Sequence, residues 1–290
     1  MGYPCWGTNQ GDAKMNVQDE LLDLDGVRLH YRDWTGPADA SATLLLLHGL
    51  TAHARQWDSF AAEMSRYCRV IAPDLRGHGE SQWADAYDLD TQVGDVRAMV
   101  AALGVDNVTL VGQSLGGSIA IRYAGSGPGE LARLVLVDIA PTIPKATRTQ
   151  MYTDFKQVAR FDSPEHAIAT ELAANPFASR DHLSHRIRNA IQRQPDGSWT
   201  WRYDPRLQEP RAISFKGAEE QGWAAAAEIE VPTLVMRGAE SEYLTPENAA
   251  RLLATIPTCI LVEFPECGHV VPMDEPDGFR DTMIQFMSLD

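Results

Sequence analysis

Ser114 stands in Gly112-Gln113-Ser114-Leu115-Gly116, a G-x-S-x-G pattern. Val108 to Val111 before it is an apolar run suited to a strand, and Gly117 to Ala124 after it suits a helix. Strand, sharp turn and helix together make a nucleophile elbow, which lifts the hydroxyl above a sheet. The turn needs small neighbours, because the serine backbone is strained and the chain packs closely around it. The first amides of the following helix then converge on one point.

A serine hydroxyl is a weak nucleophile at neutral pH, so it needs a base and a third group to orient that base. The chain has eight histidines. His269, in Glu266-Cys267-Gly268-His269, is the expected base, because it follows the last apolar run and so belongs at the edge that carries Ser114. His30 falls on a predicted strand, while His166, His182 and His185 fall in the irregular middle of the chain. Acyl transfer also needs donors for a developing oxyanion. The backbone N–H of Leu115 is one. The loop His48-Gly49-Leu50 should give the second, from Leu50 N–H. His48 itself is expected to brace that loop. This chemistry requires no metal and no organic cofactor.

The elements that must position these residues are legible in the apolar pattern. Leu21 to Leu24 and Val27 to Trp34 read as strands joined at Asp25-Gly26. Thr43 to Leu47, Arg69 to Pro73, Val108 to Val111, Leu134 to Val137, Val231 to Met236 and Cys259 to Phe264 read as further strands. Continuous apolar runs such as Leu44 to Leu47 suit strands buried on both faces of a parallel sheet. Helical spacing appears over Asp90 to Leu103, Pro246 to Ile256 and Phe279 to Met287. Alternating strands and helices predict a doubly wound α/β sheet. Residues 141–230 break the rhythm with amphipathic segments at Met151 to Phe161 and His182 to Arg193. Turn clusters bracket Trp199, Trp201 and Tyr203. This stretch is expected to be a helical insert, with Trp199 and Trp201 lining a substrate pocket. His182 and His185 share a helix face but lack a third ligand nearby in sequence. Gly125, Gly127 and Gly129 lack the Lys-Ser/Thr of a phosphate loop and mark a helix end.

At 290 residues the chain is long enough for one large domain with an insert. Its 40 acidic residues outnumber 25 basic ones, a net charge of −15 that disfavours nucleic acid as a partner. No apolar run reaches the length of a membrane span, so no membrane partner is expected. Cys5, Cys68, Cys259 and Cys267 form no C-x-x-C pair, and a reducing, cytoplasmic setting is the default reading. Residues 1–18 read as a disordered leader without the basic start and apolar centre of a signal peptide. Met15 is a second candidate for the natural start. The oligomeric state has no signature.

From Leu21 onward the chain resembles the α/β-hydrolase superfamily, in its lid-bearing, serine esterase- or lactonase-like form. The resemblance rests on His48-Gly49, Asp74-Leu75-Arg76-Gly77-His78-Gly79-Glu80-Ser81, the elbow at Ser114, and Gly268-His269. It implies an eight-stranded, mostly parallel sheet with a core of residues 19–140 and 231–290 and a helical lid of residues 141–230. One departure bears on mechanism. The family usually places its acid in a G-x-x-D pattern after the strand ending at Gly238. Here Gly238-Ala239-Glu240-Ser241 leaves a serine in that slot. Glu240, Glu242 and Asp138 are the candidate replacements. Asp138 is favoured because it ends the strand beside the nucleophile strand in the usual family order, and some small esterases of the family resemble this arrangement. Ser241 would then be a hydrogen-bonding helper.

The resemblance thus implies a serine hydrolase acting on a small carboxylic ester or lactone. Carbon–carbon bond hydrolases acting on vinylogous diketones and cofactor-free perhydrolases also keep the serine. Haloalkane dehalogenases and most epoxide hydrolases of the family attack with aspartate, which Ser114 disfavours. A non-enzymatic alternative is a hydrolase-like small-molecule receptor.

Overall fold

A computed structural model describes residues 17–157, 160–209 and 217–289. The chain opens with a hairpin, β1 (Val17–Leu24) and β2 (Val27–Trp34). β3 (Thr43–Leu47), α1 (Asp58–Met64), β4 (Arg69–Pro73), α2 (Leu89–Leu103), β5 (Val108–Gln113), α3 (Leu115–Gly125) and β6 (Leu131–Val137) follow in alternation. The middle of the chain holds α4 (Lys145–Gln157), α5 (Pro164–Ala174), α6 (Arg180–Ala190), β7 (Ile191–Arg193), β8 (Trp199–Trp201) and α7 (Ala218–Ala227). β9 (Thr233–Gly238), α8 (Pro246–Thr255), β10 (Cys259–Phe264), α9 (Val271–Asp274) and α10 (Pro276–Met287) close it.

Eight strands form one sheet in the order β1-β2-β4-β3-β5-β6-β9-β10. β2 is antiparallel to β1 and to β4, and every other pairing is parallel. This is the α/β-hydrolase arrangement. β3, β5 and β9 are buried throughout, as apolar runs in a sheet covered on both faces must be. One apolar core holds α2, α3 and α7 against the sheet. The opposite core holds α1 and α10, with Trp57 fully buried beside Phe60 and Phe279.

Strand order reverses between β3 and β5, which pair directly, with Leu47 opposite Gly112. Chain leaving β3 turns one way to β4, and chain leaving β5 turns the other way to β6. A crevice opens at such a reversal, above the carboxyl ends of the strands. The loops carrying Leu50 and Ser114 flank it.

Two sequence expectations need correction. β1 begins at Val17 rather than Leu21, so the expected leader of residues 1–18 overlaps a strand, and its remaining residues lie outside the described ones. Residues 17–20 carry no strand pattern because β1 is an edge strand with most side chains in solvent, which erases the apolar alternation there. The middle segment is also not wholly helical. β7 and β8 pair antiparallel around the Pro195-Asp196-Gly197 turn. Within residues 141–230, α7 packs on α3, where Trp223 and Ala226 join the main core. A Cβ on Gly125 would strike the backbone of Ala225.

Candidate active site

Ser114 sits between the end of β5 and the start of α3 with φ 53° and ψ −113°. This positive φ is costly for a residue with a side chain, on the order of 1–3 kcal/mol, and persists only where the surroundings enforce it. They do so here. Ser114 N–H donates to Val137 O at 3.3 Å, and Gly116 N–H donates to His48 O at 3.2 Å. A Cβ on Gly112 would collide with the backbone of Gly116, and one on Gly116 with the backbone of Leu47. Only glycine at both positions lets the elbow close.

Leu115 opens α3, so its N–H has no acceptor one turn earlier. Neither Leu115 N–H nor Leu50 N–H donates to an acceptor among the described residues. The Leu50 loop abuts Ser114, since a Cβ on Gly49 would lie 3.3 Å from the Ser114 Cβ. His48 braces this loop. Its Nδ1–H donates to Gly49 O at 2.7 Å, and its Nε2 accepts Leu75 N–H at 2.9 Å. Burial, then the nearby His78, pushes the His48 pKa down to about 3, so the ring is neutral. His78 lies edge-on to it at 4.9 Å and is itself pushed down to about 4, mainly by burial.

His269 lies in the loop between β10 and α9. Its Nδ1 is 2.7 Å from Asp138 Oδ2. A carboxylate can only accept, so Nδ1 carries the proton and Nε2 is free to take one. Nε2 lies 3.5 Å from the side-chain amide of Gln113, the residue before the nucleophile. Ser114 Oγ itself is not hydrogen-bonded to His269 in the free protein, a bond that often tightens only with substrate bound. Asp138 ends β6 at φ 52° and is fully buried. Two further donors hold its carboxylate. Gly238 N–H reaches Oδ1 at 3.1 Å, and the Ser241 hydroxyl reaches Oδ2. Because β6 lies between β5 and β9, its end sits between the elbow and the Ser241 loop.

Glu240 and Glu242 do not approach His269. Both are exposed. Among the described residues their hydrogen bonds are of the backbone: Glu240 N–H donates to Cys267 O, and Glu242 O accepts from the Thr147 hydroxyl. They stand on the flanks of Ser241, and the loop turns only Ser241 inward. Trp199 and Trp201, expected at a pocket, pack into the apolar cluster of the insert with Phe161, Ile187 and Ile191. Trp201 meets Phe161 edge-on at 5.1 Å. The strand pairing of β8 with β7 turns both indoles to one face, and that face is covered by this cluster.

Three neighbours of His269 carry no sequence signal. Tyr243 stacks on the His269 ring, with centroids 3.7 Å apart and planes 14° apart. Gln113 contacts it from the nucleophile strand. Asp274 accepts Gly268 N–H and the Asn175 side-chain amide, both at 2.9 Å, tying the insert to the His269 loop. Burial raises the pKa of Asp274.

Residues 44–282 match the Alpha/beta hydrolase family as a whole. The chain belongs to this family. Among curated members, a 3-hydroxybutyrate-oligomer hydrolase of Cupriavidus necator is 30% identical, covering 86% of this chain and 89% of the relative. A non-heme haloperoxidase of Rhodococcus erythropolis is 28% identical, covering 91% of this chain and 97% of its own length. Among solved alpha/beta hydrolase structures, an E-2-(acetamidomethylene)succinate hydrolase superposes with a TM-score of 0.85. It is 21% identical and covers 94% of this chain and 99% of that one, a likeness of fold. Among the described residues, no helix is long and apolar enough to cross a membrane.

Proposed function

We propose that this alpha/beta hydrolase cleaves a carboxylic ester or lactone through an acyl-enzyme intermediate. The observation that carries the reading is the buried Asp138 carboxylate, 2.7 Å from Nδ1 of His269 at the edge where Ser114 stands. Ser114 Oγ attacks the carbonyl carbon while its proton passes to His269 Nε2. Asp138 offsets the imidazolium charge through Nδ1–H. Leu50 and Leu115 N–H groups hold the carbonyl oxygen as it becomes an oxyanion. The tetrahedral intermediate expels the alcohol, which takes the proton from His269. Water then gives a proton to His269 and attacks the acyl carbon, and the intermediate expels Ser114 Oγ, which takes that proton back from His269 as the acid leaves.

The insert serves in this reading as a lid. Asn175 meets Asp274 behind the base, and the ring of Phe177 lies against Gly268, where an added Cβ would come within 3.2 Å. The relative that hydrolyses 3-hydroxybutyrate oligomers supports an ester substrate. A panel of short p-nitrophenyl esters, lactones, amides and vinylogous diketones tests the reading, with Ser114→Ala as blank. Ester or lactone turnover that vanishes in the blank is expected. Turnover confined to the diketones would replace the reading with carbon–carbon hydrolysis, and no turnover at all would favour a receptor.

A second reading has one specific support, the haloperoxidase relative. Hydrogen peroxide would replace water in attacking the acyl-enzyme and release a peracid. Peracid formation from acetate and peroxide that outpaces ester hydrolysis would favour it.

A further inference from the structure

The loop after β9 makes two contacts with the site. Ser241 turns inward and donates to Asp138. Tyr243 N–H in turn donates to the Ser241 oxygen at 3.1 Å, which fixes the tyrosine backbone two residues on. The Tyr243 ring then lies flat on the imidazole of His269, centroids 3.7 Å apart and planes 14° apart. One hydroxyl thus links the group that orients the base to the group that covers its face.

We propose that Tyr243 is a positioning residue for His269, whose ring face holds the imidazole in plane with Asp138 and favours its charged form during proton transfer. This rests on the acyl-enzyme reading above. The geometry restrains the ring in the one direction the hydrogen bonds leave open. A bond from Nδ1 to Asp138 fixes the ring edge but allows rotation about the bond axis. A flat neighbour at van der Waals distance stops that rotation, and the plane of the imidazole stays fixed. The electrostatic part follows from the negative face of an aromatic ring. It attracts an imidazolium more than a neutral imidazole. Proton transfer from Ser114 in the proposed reaction forms an imidazolium, so the contact strengthens toward the transition state and accelerates the step.

Other charges around His269 are accounted for. Asp138 faces it from β6 and Asp274 from α9, and Cys267 precedes it in its own loop. Asp154 of α4 and Glu242 lie nearer Tyr243. Burial first, then these carboxylates, pushes the Tyr243 hydroxyl up to about 12, so the ring stays a neutral phenol throughout the working range. No other aromatic ring stacks on His269 among the described residues.

The test compares Tyr243→Phe, which keeps the π face, with Tyr243→Leu, which keeps bulk and excludes water but has no π face. Tyr243→Met serves the same comparison if the leucine protein does not fold. Steady-state kinetics on a p-nitrophenyl ester across pH should show the Phe variant within about threefold of wild type. The Leu variant should lose about tenfold in kcat with KM within about twofold. Its acid limb of kcat/KM should move to lower pH by about half a unit or more, because a histidine deprived of the ring face holds its proton less tightly. NMR titration of His269 in Ser114→Ala proteins, with and without Tyr243→Leu, should show the same shift with no substrate present. An unmoved acid limb and titration in the Leu variant would overturn the inference, as would a Phe variant as impaired as the Leu variant. Wild-type protein without ester turnover would sink the acyl-enzyme reading instead, leaving the titration to decide the role of Tyr243.

Discussion

Asp138 and His269 stand 131 positions apart in the chain, yet Oδ2 of one lies 2.7 Å from Nδ1 of the other. The sheet produces this proximity. β6 lies between β5, which leads into Ser114, and β9, and β9 pairs with β10, whose following loop bears the histidine. The carboxylate therefore approaches the base from the next strand over, while Ser241 occupies the loop after β9.

Asp138→Asn is expected to lower kcat by about 10³- to 10⁴-fold. The amide can still hydrogen-bond but cannot offset imidazolium charge, and it favours the wrong histidine tautomer. Glu240→Gln and Glu242→Gln should stay within about twofold of wild type, since both carboxylates are exposed and neither bonds to His269. Kinetics on one short ester, with circular dichroism to show intact folding, checks all three. A larger loss in either glutamate variant than in Asp138→Asn would reassign the acid.

Ser241→Ala removes one of three donors to the Asp138 carboxylate. A hydrogen bond to a charged group is worth about 1.5–3 kcal/mol, so kcat should fall by roughly tenfold or somewhat more. The same variant frees the Tyr243 amide, which bonds to that hydroxyl. Ser241→Thr should recover most of the loss, because the hydroxyl returns. Full activity in Ser241→Ala would show that Gly238 N–H and His269 Nδ1–H suffice to hold the carboxylate.

Stability should fall as pH drops from about 6.5 to 5, before ordinary carboxylates titrate. His48 and His78 have pKa values pushed down to about 3 and 4 by burial, and burial lowers His53 as well. Their folded pKa values lie below the unfolded value, so their stabilising effect is complete above about 6.5 and is lost as pH falls. Each such group costs up to ~1.4 kcal/mol per pH unit in this window. His30 has the opposite sign. Asp74 at 2.7 Å outweighs burial and raises its pKa, so its contribution is complete below about 6.5 and is lost at higher pH. Urea denaturation at pH 7, 6 and 5 should give steadily falling midpoints. Constant midpoints would mean that the buried histidines are protonated in the folded protein.

Trp199→Ala and Trp201→Ala should each lower thermal stability while leaving relative rates among ester chain lengths nearly unchanged. Both indoles belong to the cluster that holds α5, α6 and the β7–β8 hairpin together. Removing a large side chain from such packing costs about 3–5 kcal/mol in a full core and less at half-buried positions. Altered chain-length preference without loss of melting temperature would place the tryptophans against substrate after all.

The elbow was legible because its requirements are local. Two glycines, a serine and the switch from strand to helix lie within one short stretch. The buried strands were legible for a similar reason, since burial on both faces demands unbroken apolar runs such as Leu44 to Leu47. Asp138 needed the order of strands in the sheet, which the family resemblance supplied and residue spacing alone does not. Tyr243 and Asp274 were hidden because their contacts with the His269 loop are tertiary, and a tyrosine or aspartate in a loop has many uses. The first half of edge strand β1 was hidden by solvent, which relaxes its pattern, and a half-buried indole such as those of β8 reads alike at a pocket and in a small core.

The central claim is that Ser114 carries the acyl group. Acid quenching during turnover of p-nitrophenyl acetate, followed by peptide mass spectrometry, measures this directly. An acetyl group is expected on the peptide containing Ser114 and absent from Ser114→Ala protein, whose turnover should fall by about 10⁴-fold or more. An acetyl group on another residue, or Ser114→Ala protein within tenfold of wild-type turnover, would contradict it.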